Sequence, residues 1–302
     1  MNIKKLRIIL AASFATLGLA SAILGFSGAL NNRVNKGAKI WMKDIQDGTK
    51  IRDIAIPGSH DTMALYSIAD LAGQCQTLSL NDQLKLGVRF LDIRLKVNHD
   101  SLEAVHGFVD QKADFASINK TVTSFLEKNP TEFIIMSIKE EVDPGKGDPA
   151  FEKTLIKNLD HSVYLKEQKV LPTYIEEVRG KVLILSRYQN PTIGIPAYQG
   201  WVDSASFTLP NDIYVQDTYK ITSKEQKQEE VIKCFNEPGH ALKINFLSAY
   251  RTNGFPPSQA MTAAKDINPW INKEISKYSD RGIVLYDFIS ESNMKTFFKE
   301  VI

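Results

Sequence analysis

The sequence predicts an α/β fold built on a largely parallel sheet, closed into a barrel or left open, and three observations carry that reading. Seven short apolar runs alternate with helical stretches along the chain, the order expected of parallel strands joined by helices. Most of these runs are continuous in Val, Ile, Leu and Phe, as strands covered on both faces are. No glycine-rich fingerprint follows the first run, which weakens a dinucleotide-binding sheet. The 302 residues, 43% hydrophobic and 24% charged, fit one large barrel or two small domains. Without an internal repeat or a Pro/Ser-rich linker, a single domain is favoured.

Residues 1–29 read as a secretory signal peptide. Lys4, Lys5 and Arg7 precede an apolar run from Ile8 to Phe26, and Ala20-Ser21-Ala22 supplies the small residues that signal peptidase needs. A second cut is available after Ala29. The alternative is an uncleaved anchor, because the run approaches the roughly 20 residues that span a bilayer. Small residues dilute the run and favour cleavage. Either way the working domain, residues 36–302, is expected outside the cytoplasm: secreted if the leader is removed, membrane-anchored if it stays. The leader's three cations leave a nearly neutral remainder, so a polyanion-binding surface, nucleic acid included, is not expected.

Past a polar stretch from Asn31 to Ile40, strands are expected at Arg52–Ile56, Arg89–Leu95, Phe133–Ile138, Lys181–Ser186, Asp212–Gln216, Ala241–Leu247 and Gly282–Tyr286. Helices are expected at Ser117–Lys128, Ser223–Asn236 and Ser258–Lys277. Ser117 and Ser223 are the candidate N-caps, and Pro130 and Pro238 follow two of the ends. Cys75 and Cys234 do not make a disulfide framework, and buried thiols are the favoured state.

The strands end on distinctive polar residues. The first leads into Ile56-Pro57-Gly58-Ser59-His60-Asp61-Thr62, the second carries Asp92-Ile93-Arg94, and a short segment runs to Val105-His106-Gly107. Later ends carry Lys139, Arg187, Asp217 with Tyr219, and Asp287. A parallel barrel points all strand C-termini at one rim, which would gather these residues at one mouth. A single charge at a strand end commonly marks a return to solvent; this many, with two of only five histidines, suggests a site.

The set suits phosphodiester cleavage without a metal. Two histidines, with ordinary pKa values near neutrality, can divide the proton transfers. Carboxylates such as Asp61 and Asp287 would fix their tautomers. An arginine can donate two hydrogen bonds to nonbridging phosphate oxygens. A metal centre would need several carboxylates with open coordination positions; here cations stand among the acids, and Arg94 above all opposes a divalent ion. His99, His161 and His240 read as surface residues.

These residues, in this order, resemble the bacterial phosphatidylinositol-specific phospholipase C family, over roughly Trp41 to the C-terminus. The resemblance implies a single-domain irregular (β/α)8 TIM-type barrel and a phosphatidylinositol diacylglycerol-lyase activity. The products would be diacylglycerol and inositol 1,2-cyclic phosphate, with slow hydrolysis of the cyclic ester. By resemblance His60 is the general base, partnered by Asp287, and His106 is the general acid, coupled to Asp61. Arg94 matches the phosphate-activating arginine, and Lys139, Arg187, Asp217 and Tyr219 match the inositol-binding positions. Arg94 occupies the place where calcium-dependent relatives hold their ion, so no metal and no cofactor are implied. Two alternatives rank below: a metal-dependent enzyme like the glycerophosphodiester phosphodiesterases, and a non-catalytic glycolipid-binding barrel.

The implied partner is phosphatidylinositol in a membrane, touched peripherally by a monomer; glycosylphosphatidylinositol anchors are an open second substrate. Two stretches could touch lipid: Met63–Ala72, as a short interfacial helix, and Tyr250–Pro257, where Phe255 or Tyr250 would replace the tryptophan that family members use. An inward-packed amphipathic helix is an equal alternative for the first.

Overall fold

The computed structural model describes residues 39–67, 73–141, 147–160, 162–253 and 260–301. The leader at residues 1–29 lies outside the described residues, as do Ile68–Ala72, Gly254–Pro257 and His161. Among the described residues no helix is long and apolar enough to cross a membrane.

The strands are β1 (Ile56–Ser59), β2 (Phe90–Asn98), β3 (Ser101–His106), β4 (Val109–Asp114), β5 (Ile134–Glu140), β6 (Tyr164–Leu165) and β7 (Val182–Arg187). They continue as β8 (Ile195–Pro196), β9 (Ser206–Leu209), β10 (Ile213–Gln216), β11 (Lys220–Ile221), β12 (Leu242–Phe246), β13 (Tyr250–Arg251) and β14 (Ile283–Tyr286). The order β6-β7-β5-β2-β1-β14-β12-β10 is parallel at every step, and β9 adds antiparallel at the end. That is the expected TIM-type barrel, made irregular in that the sheet ends at β6 and β9 with no ladder joining them among the described residues. Ile195 and Ala197 from the β7 side and Leu209 from β9 belong to the same buried cluster as Ile56, Phe90, Ile135, Leu183, Val215, Ile244 and Leu285. Lys39–Ile302 form one compact unit.

Six of the seven expected strands overlap observed strands over most of their length, but the first, Arg52–Ile56, shares only Ile56 with β1. The Arg52 segment is a 3-10 turn over Ile51–Asp53, and β1 begins at Ile56. Arg52 and Asp53 are exposed, whereas Ile56–Ser59 are buried between β14 and β2. Gly58 explains the close fit, since a Cβ there would lie 3.0 Å from both Leu285 Cγ and Phe90 Cβ.

The helices include α1 (Leu80–Leu86), α2 (Phe115–Lys128), α3 (Phe151–Asn158), α4 (Lys224–Asn236), α5 (Ala260–Glu274) and α6 (Glu291–Val301). Ser223 caps α4 as expected, its hydroxyl accepting from Gln226 N–H. Asp114, not Ser117, caps α2: its carboxylate accepts from Ser117 N–H, which lets the buried Phe115 start the helix.

Candidate active site

The turn after β1 is held to β2 by small polar side chains. Ser59 Oγ and Thr62 Oγ1 are 2.8 Å apart, Thr62 Oγ1 accepts from Asp92 N–H at 2.9 Å, and Thr62 N–H donates to the Asp92 carbonyl at 2.9 Å. Asp61 is forced to φ 39, a left-handed conformation that costs a non-glycine residue about 1–2 kcal/mol. Its N–H repays part of this by donating to Asp92 Oδ2 at 3.0 Å. Gln76 donates to the carbonyls of both His60 and Tyr286, at 2.8 and 2.9 Å, tying the turn to β14.

This frame fixes His60. Its Nδ1 lies 2.7 Å from Asp287 Oδ1 and its Nε2 2.7 Å from Arg94 Nη2. A guanidinium can only donate, so Nε2 accepts, and the imidazole carries its proton on Nδ1, facing Asp287. That tautomer leaves the basic lone pair on Nε2. Burial alone would push this imidazole's pKa down; Asp287, by charge and hydrogen bond, outweighs burial and Arg94 and moves it above the ordinary histidine value.

Three cations stand side by side across the sheet. Arg94 on β2 is in register with Lys139 on β5, and Lys139 with Arg187 on β7. Register partners in parallel strands share a face, so the row points into one mouth. Asp92 neutralises two of them: Oδ2 accepts from Arg94 Nη2 at 3.1 Å and Oδ1 from Arg187 Nη1 at 3.1 Å. Burial would raise the Asp92 carboxyl, but the two arginines hold it well below the carboxylate range. Glu141 pairs with Lys139 and lies 3.9 Å from Arg94; despite burial these cations pull its pKa down to about 2. Burial and Arg94 lower Lys139 in turn.

His106 comes from a β3–β4 hairpin that extends β2 antiparallel beyond the rim. Its Nδ1 donates to the Gly73 carbonyl at 2.8 Å and lies 3.5 Å from Asp61 Oδ2. The expected Asp61 coupling is therefore a close charge contact, while the hydrogen bond that sets the tautomer goes to Gly73. Asp61 Oδ2 also lies 3.5 Å from Arg94 Nε, yet accepts no hydrogen bond in its buried position. Burial raises the Asp61 carboxyl.

On the other side of the mouth, Trp201 stacks on Arg187, with the guanidinium carbon 3.4 Å from the ring centroid, and its Nε1–H donates to Asp217 Oδ2 at 3.3 Å. Burial raises the Asp217 carboxyl against the pull of Arg187. Tyr219 donates its hydroxyl to Asp203 at 2.5 Å and packs against Tyr250 at 5.8 Å between centroids. The nine expected residues therefore fall into a continuous set around His60, Arg94 and Arg187, with Tyr219 at its edge. Sequence reading gave no role to Asp92, Glu141, Gln76 or Trp201. Asp92 had a signal, its place two residues before Arg94 on one strand face; Trp201 sits in the β8–β9 connection with none.

Elsewhere, His240 is no bare surface histidine: it bonds Asp212 at 2.6 Å and stacks on Tyr214. Cys75 and Cys234 are buried free thiols. Of the lipid-contact stretch, Met63 and Ala64 point inward and Tyr66 is exposed. Phe108, two residues past His106 at the hairpin tip, is 83% exposed.

The sequence model for "Phosphatidylinositol-specific phospholipase C, X domain" matches residues 53–188, which include His60, Asp92, Arg94, His106, Lys139 and Arg187. A 1-phosphatidylinositol phosphodiesterase of Listeria monocytogenes is 29% identical over 300 residues, covering 95% of this chain and 92% of that protein. One of Staphylococcus aureus is 26% identical over 279 residues, covering 82% and 87%. In three dimensions the chain resembles the phosphatidylinositol-specific phospholipase C of Listeria monocytogenes, with a TM-score of 0.72 and 25% identity over 87% of this chain and 98% of that one. A variant of the Staphylococcus aureus enzyme gives a TM-score of 0.74 at 24% identity, a likeness of fold.

Proposed function

Because the chain belongs to the bacterial phosphatidylinositol-specific phospholipase C family, we propose that it cleaves phosphatidylinositol to diacylglycerol and inositol 1,2-cyclic phosphate, with His60 as base and His106 as acid. The observation that carries this is His60, its Nδ1–H bonded to Asp287 at 2.7 Å and its basic Nε2 facing Arg94. His60 Nε2 takes the proton of the inositol 2-hydroxyl as that oxygen attacks phosphorus. The bond from phosphorus to the diacylglycerol oxygen breaks, and His106 protonates the departing alkoxide. Arg94 donates to the nonbridging oxygens, where negative charge grows. Lys139, Arg187 and Asp217 hold the inositol hydroxyls, with Tyr219 at the ring's edge.

The reaction needs no divalent metal. Asp61 and Asp92, the carboxylates a hard cation would need, both face the Arg94 guanidinium, which delivers the positive charge itself. The enzyme acts as a secreted protein that touches the bilayer through Phe108 and Tyr66, the exposed aromatics on the His106 side of the mouth. Phe108→Ser should weaken sedimentation with phosphatidylcholine vesicles and leave turnover of a soluble substrate intact.

Incubation with phosphatidylinositol in EDTA, followed by phosphorus NMR, tests the central statement. The cyclic phosphate is expected as first product. Turnover only after calcium is added would favour the metal-dependent alternative, and no turnover in either condition would favour the non-catalytic barrel.

A further inference from the structure

Cys75 stands between the two histidine–carboxylate pairs and the chemistry above leaves it unused. It is 1% exposed, and its Sγ lies 3.8 Å from His106 Nδ1. His106 Nδ1 is 3.5 Å from Asp61 Oδ2, and the three donor atoms lie within 4.8 Å of one another. We propose that Asp61, Cys75 and His106 form an inhibitory site for a thiophilic divalent cation such as zinc.

Metal–ligand geometry supports it. Zinc bonds of about 2.3 Å to sulfur and about 2.0–2.1 Å to nitrogen and oxygen, at tetrahedral angles, place S and N about 3.5 Å apart and N and O about 3.3 Å apart. The observed 3.8 and 3.5 Å need shifts of only a few tenths of an ångström. Asp61 Oδ2 is the second, independent pointer: it is buried and accepts no hydrogen bond. The neighbouring group of His60, Cys75 and Asp287 fits less well, because the 2.7 Å contact between His60 Nδ1 and Asp287 Oδ1 is too short for two ligands of one ion.

Binding releases the Cys75 thiol proton to solvent. His106 gives up its bond to the Gly73 carbonyl, moves its proton to Nε2 and offers Nδ1 to the ion. The ion enters past His106, whose side chain is 30% exposed. A donor set of sulfur, nitrogen and one carboxylate selects soft over hard ions. Arg94, 3.5 Å from Asp61 Oδ2, opposes any cation; calcium and magnesium gain nothing from sulfur to offset that repulsion. The same active centre thus has no use for calcium and is blocked by zinc. The inhibitory consequence depends on the function proposed above; the binding does not.

The test is a cobalt titration of the purified full chain, followed by its thiolate-to-metal charge-transfer absorption in the near ultraviolet, with zinc displacement and calorimetry alongside. One ion per chain is expected, with the band retained in Cys234→Ser and lost in Cys75→Ser and Cys75→Ala. Affinity for zinc should drop roughly 100-fold or more in both Cys75 variants, since even an outer-shell change costs 10–100-fold. Zinc should suppress turnover of a soluble inositol phosphodiester, EDTA should restore it, and calcium should do nothing. Absence of the band in the wild type, its persistence without Cys75, or equal zinc inhibition in wild type and Cys75→Ala, each relative to its own metal-free rate, overturns the site. A protein that binds cobalt through Cys75 but turns over nothing would instead count against the proposed function.

Discussion

Replacing Arg94 by lysine isolates the geometry of the guanidinium from its charge. Arg94 Nη2 lies 2.7 Å from His60 Nε2 and 3.1 Å from Asp92 Oδ2, Nε lies 3.3 Å from Asp92 Oδ2 and 3.5 Å from Asp61 Oδ2, and Nη1 lies 3.9 Å from Glu141. One ammonium can keep the pairing with Asp92 but cannot also present two N–H groups to a phosphate. Losing one preorganised donor costs about 2.7–4 kcal/mol in the transition state, roughly 10²–10³ in kcat. Arg94→Lys should therefore lose at least that factor in kcat, with a small change in KM, because the contact strengthens as charge develops. Arg94→Ala should in addition lose about 3–5 kcal/mol of stability, since it strips the buried Asp92 of one of its two cations. Steady-state kinetics on a soluble inositol phosphodiester, with urea unfolding of each variant, measure both effects. A folded Arg94→Lys enzyme with kcat within tenfold of wild type (about 1.4 kcal/mol) would refute the bidentate role.

Three further outcomes are expected. His106→Ala should lose roughly 10²–10⁴ in rate on phosphatidylinositol, whose leaving group is a basic alkoxide, and far less on a nitrophenyl ester, whose leaving group needs no acid; equal losses on both would remove His106 from the acid role. Asp287→Asn takes away the charge that holds the His60 pKa up. Because the base works unprotonated, the acid limb of kcat/KM should move to lower pH, and an unmoved or raised limb contradicts the pairing. Buried Lys227, held by Gln216 Oε1 at 3.2 Å and the Thr218 carbonyl at 2.7 Å, is lowered by burial from 10.5 to about 8. Between those values the unfolded chain binds the proton and the folded one does not, so stability rises with pH. Wild type should gain about 3 kcal/mol on Lys227→Met between pH 7 and 10.5, read by urea unfolding; a pH-independent difference would show that the lysine titrates normally.

How much of this was legible in the sequence follows from what each residue depends on. Strand positions were readable because a strand covered on both faces must be apolar throughout, and β5, β7 and β14 are buried at nearly every residue. Residues one strand-end apart from a motif, such as His60, Arg94 and Lys139, inherit their place from that register. The start of β1 is not legible in the sequence, because Arg52 lies in an apolar stretch whose exposure only the packing reveals. Trp201 acts through Arg187 and Asp217 on other segments, and Glu141, paired with Lys139 two residues earlier, reaches across to Arg94 on β2. No local pattern announces such a contact. The Gly73 carbonyl that orients His106 is a backbone atom, invisible in principle to a reading of side chains.

In the proposed mechanism, Arg94 also links phosphate binding to the freeing of the base. The lone pair on His60 Nε2 accepts one hydrogen bond, and in the free protein Arg94 holds it at 2.7 Å. The substrate hydroxyl needs that same lone pair, so Arg94 must let go before His60 can act. A phosphodiester provides the reason to do so: its nonbridging oxygens are charged acceptors, stronger partners for a guanidinium than a neutral imidazole. Asp92 keeps Arg94 anchored through Nε and Nη2 during that exchange, so the side chain turns locally instead of leaving the site. A metal ion in this position would bind the phosphate but could not occupy the base beforehand by donating a hydrogen bond. A lysine could occupy the base, but a single ammonium could not stay on Asp92 and still present two N–H groups to the phosphate. Only a planar fork of N–H donors does all three, which is why the residue between Asp92 and His60 decides the chemistry of the mouth.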